Sequence, residues 1–316
     1  MDRPKEQVVL VTGAGSGMGL ECALFLAGHG YRVFGTVLDE AEAGRAGREA
    51  IQRGAGIEWL RMNLTRQEQI NDGISTLLAR TGRLDALVHF AGVGLRGFFE
   101  DLTLEEIRET YDVNVFGAMA LVKCVLPHMR ARRSGRILLT TSVAGRMGSM
   151  SISGYSSTKF ALEGFGECVS QEVRPFGIYL SMLEPGLIAT PHFTVNRRQA
   201  RHSLDPSSPY AEWFRRHEEI VDRILVRRQF TPVDVARTVV RFLTARRPRL
   251  RYVVGRNAKL VLNLRRYIPG EWFDRIYWPV LRRMVTTPQN AGKPPEAETP
   301  AASLARAPQG KETKLR

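Results

Sequence analysis

Cysteine is scarce in this sequence: only Cys22, Cys124 and Cys168 occur. An odd number of cysteines, widely spaced and set in helical patterns, excludes a disulfide frame and a cysteine-based metal site. They read instead as small buried side chains in a reducing compartment. Long apolar runs are also missing, and none approaches the ~18–20 residues that span a bilayer. Residues 1–7 are charged and lead straight into a strand pattern, so no secretory leader is expected there. Acidic residues become rare towards the C-terminus. Between Arg241 and Arg283 twelve basic residues stand against two acids, Glu271 and Asp274, which supplies most of the net charge of +14. No helix-turn-helix pattern or stacking platform accompanies that charge, which argues against a nucleic-acid partner. There is no internal repeat. The remaining composition, 43% hydrophobic and 25% charged over 316 residues, is that of an ordinary globular chain with room for one large α/β domain or two small ones.

Strand and helix patterns alternate. Residues 7–12 (QVVLVT) form an apolar run that ends in the glycine cluster TGAGSGMG, followed by a helical pattern through Leu20, Leu24 and Ala27. In that context backbone N–H groups at a helix start can meet a pyrophosphate, and glycine lets the backbone approach it closely. Further strands are expected at residues 31–36, 57–61, 84–89, 135–141, 178–183 and 252–254, with helices at about 40–53, 67–80, 104–129 (interrupted near Pro127) and 153–174. This spacing implies one doubly wound, Rossmann-type parallel sheet of about seven strands with helices on both faces. Residues 1–285 are read as a single domain containing a substrate lid at 187–230. A basic aromatic segment spans 257–285 and a disordered tail 286–316.

The chemistry concentrates in the stretch SVAGRMGSMSISGYSSTKF. Tyr155 and Lys159 are four residues apart, so on a helix they share a face, and Ser142 closes the fifth strand, where ligands of such sheets sit. A cation beside a phenol favours the phenolate and is expected to draw its pKa below the usual ~10. Such a group can exchange a proton in carbonyl/alcohol redox chemistry.

With these pieces in order, the chain resembles the short-chain dehydrogenase/reductase family in its compact single-domain branch. The motifs that carry the resemblance are Thr12-Gly13-x-x-x-Gly17-x-Gly19, Ala91-Gly92, Asn114, the Ser142/Tyr155/Lys159 trio, and Pro185-Gly186 with Thr190. The resemblance implies that Tyr155 is the general acid/base and that Lys159 tunes it and holds the nicotinamide ribose. Ser142 would bond the reacting oxygen, and Asn114 would anchor a water behind Lys159. It implies cofactor contacts at Gly13, Ser16, Gly17, Met18, Gly19, Leu38, Asn63, Leu64, Ala91, Gly92, Tyr155, Lys159, Pro185, Gly186 and Thr190. A homodimer or homotetramer formed through the long fourth and fifth helices, and a cytoplasmic location, are also implied. Residues 247–269 look like the ending of retinol, hydroxysteroid and 3-hydroxybutyrate dehydrogenases, which suggests a hydrophobic alcohol or ketone as substrate.

Three positions depart from the family pattern. His89-Phe90 replaces two Asn residues and reads as a buried strand-end His. Asn63 replaces an Asp that meets the adenine. At the cofactor selector after the second strand stand Val37 and Leu38, with Asp39 one residue late. With no cation in the glycine loop to meet a 2′-phosphate, the reading between NAD and NADP favours NAD, unless Arg45 or Arg61 folds back to the adenosine. The lid offers Phe193, Trp213 and Phe214 for apolar contact and Arg197, Arg198 and Arg201 for an acidic group, so a polar biosynthetic ketone stays open as substrate. A non-catalytic nucleotide-binding protein of the same fold is the rival from another class. The aromatic, Arg-rich residues 260–281 suit either packing over the substrate cleft or peripheral contact with an anionic membrane.

Overall fold

The computed structural model describes residues 7–188, 197–226 and 230–286. The elements in chain order are β1 (Val8–Thr12), α1 (Gly17–Ala27), β2 (Arg32–Val37), α2 (Glu40–Gln52), β3 (Ile57–Arg61), α3 (Gln67–Thr81), β4 (Ala86–His89), α4 (Leu104–Tyr111), α5 (Ala118–Ala131) and β5 (Gly135–Thr140). They continue with α6 (Ser153–Val173), β6 (Ile178–Pro185), α7 (Ala211–Val226), α8 (Pro232–Thr244), β7 (Arg251–Val254), α9 (Arg256–Tyr267) and α10 (Gly270–Thr286). All seven strands join one parallel sheet in the order β3-β2-β1-β4-β5-β6-β7. The doubly wound fold expected from the sequence is therefore present. Thr190, Phe193 and the tail beyond Thr286 lie outside the described residues.

A parallel strand covered on both faces must be apolar on both, and β1 is fully buried along its length. Successive side chains point to opposite faces. Val9 and Val11 join the layer under α1 and α8 with Cys22 and Phe242, while Leu10 joins the layer under α3, α5 and α6 with Ile70, Leu121 and Val169. Each such side chain withdrawn from water is worth about 1.5–3 kcal/mol.

The helix expected over 104–129 breaks in a different place. Pro127 sits inside α5 without ending it, flanked by the buried Val125 and Met129. The interruption is a π-helical turn, Asp112–Gly117, around Asn114. Gly117 allows the close approach there, because a Cβ on it would lie 2.8 Å from that of Leu64. No helix among the described residues is long and apolar enough to cross a membrane.

Candidate active site

The carboxyl ends of β4, β5 and β6 bring most of the expected residues together. Ser142 follows β5 and opens a short turn in which its Oγ accepts the Ala144 N–H at 3.1 Å. Tyr155 and Lys159 lie in the first turns of α6, and the Lys159 Nζ is 5.6 Å from the phenol ring centroid. Lys159 donates to the Thr140 carbonyl at 3.0 Å, which fixes the buried ammonium under the end of β5. Ser142 hydrogen-bonds the Tyr155 hydroxyl, and both line one cavity with Pro185 and Gly186.

The expectation for the phenol is reversed. Burial pushes Tyr155 up to about 12, and neither the bond from Ser142 nor the positive charge of Arg96 offsets it. Burial also pushes Lys159 down to about 8, which leaves it mostly charged at neutral pH. At neutral pH the site as it stands therefore presents a protonated phenol, a proton donor.

Asn114 is fully buried on the π-helical turn. Its Oδ1 accepts from Val93 N at 2.8 Å, and its Nδ2 donates to Val93 O at 2.9 Å and to Thr158 Oγ1 at 3.1 Å. It thus ties the chain after β4 to α6, one residue before Lys159. A Cβ on Gly92 would stand 3.1 Å from Asn114 Oδ1 and 3.7 Å from Lys159 Nζ, so glycine there keeps the space beside the lysine open. His89 is buried as expected, with Nδ1 at 2.8 Å from Thr12 Oγ1. Burial, with the Lys159 charge added, pushes it down to about 3, so the ring is neutral and bridges the ends of β1 and β4.

On the same carboxyl edge of the sheet, beside the end of β4, the loop from β1 to α1 is shaped as a cradle. Gly13 has φ +66°, and a Cβ on it would meet Ala91 N at 2.7 Å; one on Gly19 would meet Gly13 O at 2.0 Å. Ser16 caps α1 without a side-chain bond, and the first turn carries no acid, which leaves the N–H groups there fit for a pyrophosphate. Asn63 spends its Oδ1 on Thr65, at 3.0 Å to N and 2.9 Å to Oγ1, and Leu64 is buried.

The selector position has a physical account. Asp39 is one residue late because it caps α2, accepting from Glu42 N at 2.7 Å. The carboxylate that reaches the loop is that of Glu42. It accepts the Leu38 N–H at 2.7 Å, and its Cδ lies 2.0 Å from where a Gly15 Cβ would be. Glu42 was missed by the sequence reading; its only linear signal is its i+4 relation to Leu38.

A buried charge cluster lies behind the site and was also missed. Glu184, fully buried just before Pro185, accepts from Arg146 Nη1 at 3.0 Å, and Arg251 Nε lies 3.3 Å from the same oxygen. Glu163, four residues after Lys159, accepts from Thr141 Oγ1 at 2.6 Å and from Arg251 Nε at 2.9 Å. Burial first, and then repulsion from Glu163, push Glu184 up to about 7 against Arg146 and Arg251. Between the ordinary Glu range and pH 7 the native state keeps a proton that the unfolded chain releases. Stability should therefore fall as pH rises through that window. Glu184→Gln is expected to flatten this fall, read as a smaller difference in Tm between pH 5 and pH 8 (about two points bracketing the window) than in the parent.

The cavity, about 680 Å³, is floored by Ser142 and Tyr155 and roofed by Ile220 and Val221 of α7, Val261 of α9 and Leu281 of α10. Its apolar contacts are thus not those expected from Trp213 and Phe214: Trp213 packs edge-on to Phe98 and Tyr210, and Phe214 is core. The lid arginines are already matched by protein carboxylates. Arg197 pairs with Glu218 and Asp222, Arg198 with Glu109, and Arg201 with Glu105. Arg96 Nε also bonds Glu218, at 2.7 Å. Burial opposes the Glu218 charge, but bonds from His217 and Arg96 and the charges of Arg96 and Arg197 hold it at about 2. This ion pair pins α7 over the cavity.

A parallel sheet of this order, a glycine cradle at its first crossover and a Tyr–Lys pair beyond its carboxyl edge define a dinucleotide-binding α/β oxidoreductase. The comparisons agree. The family model described as short chain dehydrogenase matches residues 7–201. The chain is 30% identical to a 3-ketodihydrosphingosine reductase of Bacteroides thetaiotaomicron, over 79% of this chain and 88% of that one. It is 33% identical to retinol dehydrogenase 8 of Bos taurus (79% and 81% covered) and 33% identical to human 17-beta-hydroxysteroid dehydrogenase type 1 (82% and 80%). Among solved structures, a short-chain dehydrogenase from Streptomyces avermitilis superposes with a TM-score of 0.72 at 28% identity, covering 89% of this chain and 97% of that one. Actinorhodin polyketide ketoreductase with NADPH gives 0.68 at 27%, covering 80% and 97%. The chain belongs to the short-chain dehydrogenase family, whose members use NAD or NADP.

Proposed function

We propose that the protein interconverts an alcohol and its carbonyl on a lipophilic substrate, with Tyr155 as the proton donor and acceptor. The observation that carries this reading is the apolar cavity that ends on the Ser142–Tyr155 hydrogen bond. A bound nicotinamide would supply or remove hydride. The chain's own residues do the rest. Ser142 and Tyr155 hold the reacting oxygen, the phenol passes it a proton, Lys159 holds α6 to the end of β5, and Asn114 holds it to the chain after β4. A protonated phenol is the form that can donate to a ketone oxygen, and oxidation of the alcohol requires the phenol to take a proton back. A lipophilic substrate agrees with relatives named for a sphingoid ketone, retinol and a hydroxysteroid. Arg198 lines the cavity but is paired with Glu109, and Arg197 and Arg201 are likewise ion-paired, which weakens the case for an acidic substrate. Turnover of such ketones and alcohols by the purified enzyme tests the reading.

The cofactor in this reading is NAD. Glu42 stands beside Gly15 and Leu38, where its carboxylate can accept from ribose hydroxyls and repels a 2′-phosphate. In fluorescence titrations NADH should bind more tightly than NADPH. Glu42→Ala should narrow the gap by roughly tenfold or more; equal affinities in the parent would remove Glu42 from this role. Self-association of a cytoplasmic protein through the helical stretches around α5 and α6 completes the reading, supported by Phe116, on the π-helical turn before α5, and Phe160 on α6, which are 58% and 44% exposed.

A further inference from the structure

The last two helices present an apolar surface that the fold does not cover. Along α10, Phe273, Tyr277 and Leu281 recur every four residues and face inward, the last two into the cavity. One position earlier, Trp272, Ile276 and Val280 repeat the same spacing on the outside, 59%, 61% and 53% exposed. Helix α9 does likewise with Leu260, Leu264 and Tyr267, 59%, 46% and 78% exposed. Chains rarely leave two such stripes bare in water without a use for them.

Charge indicates the occupant. From Arg256 to Thr286 seven basic residues accompany two acids, and the cations sit beside the aromatics. The Arg275 guanidinium lies 5.4 Å from the Trp272 ring centroid and that of Arg266 lies 5.7 Å from Tyr267. Exposed Trp, Tyr and aliphatic side chains interleaved with Arg and Lys match the boundary between acyl chains and anionic headgroups. A protein partner would need a complementary acidic face; an anionic bilayer supplies both components at once.

The cavity joins this surface. Val280 belongs to the outer stripe and also lines the cavity, and the neighbouring lining residues Leu187 and Ile224 are 44% and 46% exposed. The cavity therefore reaches solvent at the edge of the stripe. We infer that α9 and α10 dock the protein on an anionic phospholipid surface and set the mouth of its substrate cavity against the bilayer, so that a lipophilic substrate enters without crossing water. The delivery half of this inference rests on the lipophilic-substrate reading; the docking half does not.

The test is co-sedimentation of the full chain with vesicles of phosphatidylcholine containing phosphatidylserine, and with phosphatidylcholine alone. The double variant Trp272→Asp/Ile276→Asp is run beside it; neither side chain lines the cavity. The parent should bind the anionic vesicles, lose most of that binding at about 1 M salt, and bind neutral vesicles far less. The double variant should lose binding by roughly tenfold or more and still turn over a short water-soluble ketone. Absence of binding by the parent, or equal binding by the variant, overturns the inference. So does a parent that ignores vesicles but self-associates through the stripe, shown by a variant of smaller hydrodynamic size. An NADH titration on the same preparation separates the two readings. Cofactor binding without vesicle binding sinks the docking surface alone. Vesicle binding without cofactor binding supports docking and sinks the oxidoreductase reading.

Discussion

Tyr155→Phe should reduce turnover by ~10²–10⁴ while the protein stays folded and still binds NADH. The substitution removes one oxygen, the atom that bonds Ser142 and would meet the substrate carbonyl in the proposed reaction, and keeps the ring that packs 5.6 Å from the Lys159 ammonium. Loss of kcat with little change in cofactor affinity would mark a group that acts on the reacting atoms, since a packing role would move stability instead. Single-turnover rates with a lipophilic ketone, together with thermal melts, make the distinction. Turnover within a few-fold of the parent (about threefold) would mean that the proton comes from another group.

Gly19→Ala should be the most damaging small change in the cofactor half. Its new methyl would lie 2.0 Å from Gly13 O and 2.7 Å from Gly13 C, both backbone atoms. The Gly13 backbone cannot retreat easily, because it packs against Ala91 at the end of β4. The first turn of α1 must therefore move away from the cradle. The expected result is a loss of about 1–3 kcal/mol in stability and a fall of at least about tenfold in NADH affinity. Gly56→Ala is the control: a Cβ there meets nothing within 4 Å, and neither quantity should change. Equal behaviour of the two variants would show that the β1–α1 loop is not the cofactor seat.

The sheet was readable because a parallel strand buried on both faces leaves a dense apolar run, as at β1; even the half-exposed edge strand β3 is met to the residue at 57–61. The Ser142, Tyr155 and Lys159 constellation was readable because one helix and one strand end supply it. What stayed hidden depends on contacts between distant segments. The i,i+4 rule places Lys159 beside Tyr155 but says nothing of burial, which sets the phenol at about 12. Arg197, Arg198 and Arg201 look like an anion site until Glu218, Glu109 and Glu105 arrive from other elements to neutralise them. Glu42 is one acid among several on α2, and only the placing of that helix beside Gly15 brings its carboxylate to the glycine loop. Pro127 misled for the opposite reason, since a strong local signal is absorbed by the packing of Val125 and Met129 around it.

The strand order has a consequence for how the protein is made. β2 lies against β1 and β3 against β2; β4 then takes the free side of β1, and β5, β6 and β7 each join the edge just laid down. No strand has to be wedged between two already paired, so a chain emerging from the ribosome can assemble its sheet by accretion alone. The nucleotide cradle is made from the earliest segments, whereas the roof over the substrate comes from α7, α9 and α10. During synthesis the floor at Ser142 and Tyr155 is complete before α7, α9 and α10 shelter it, and the final helices convert an open cleft into a covered cavity.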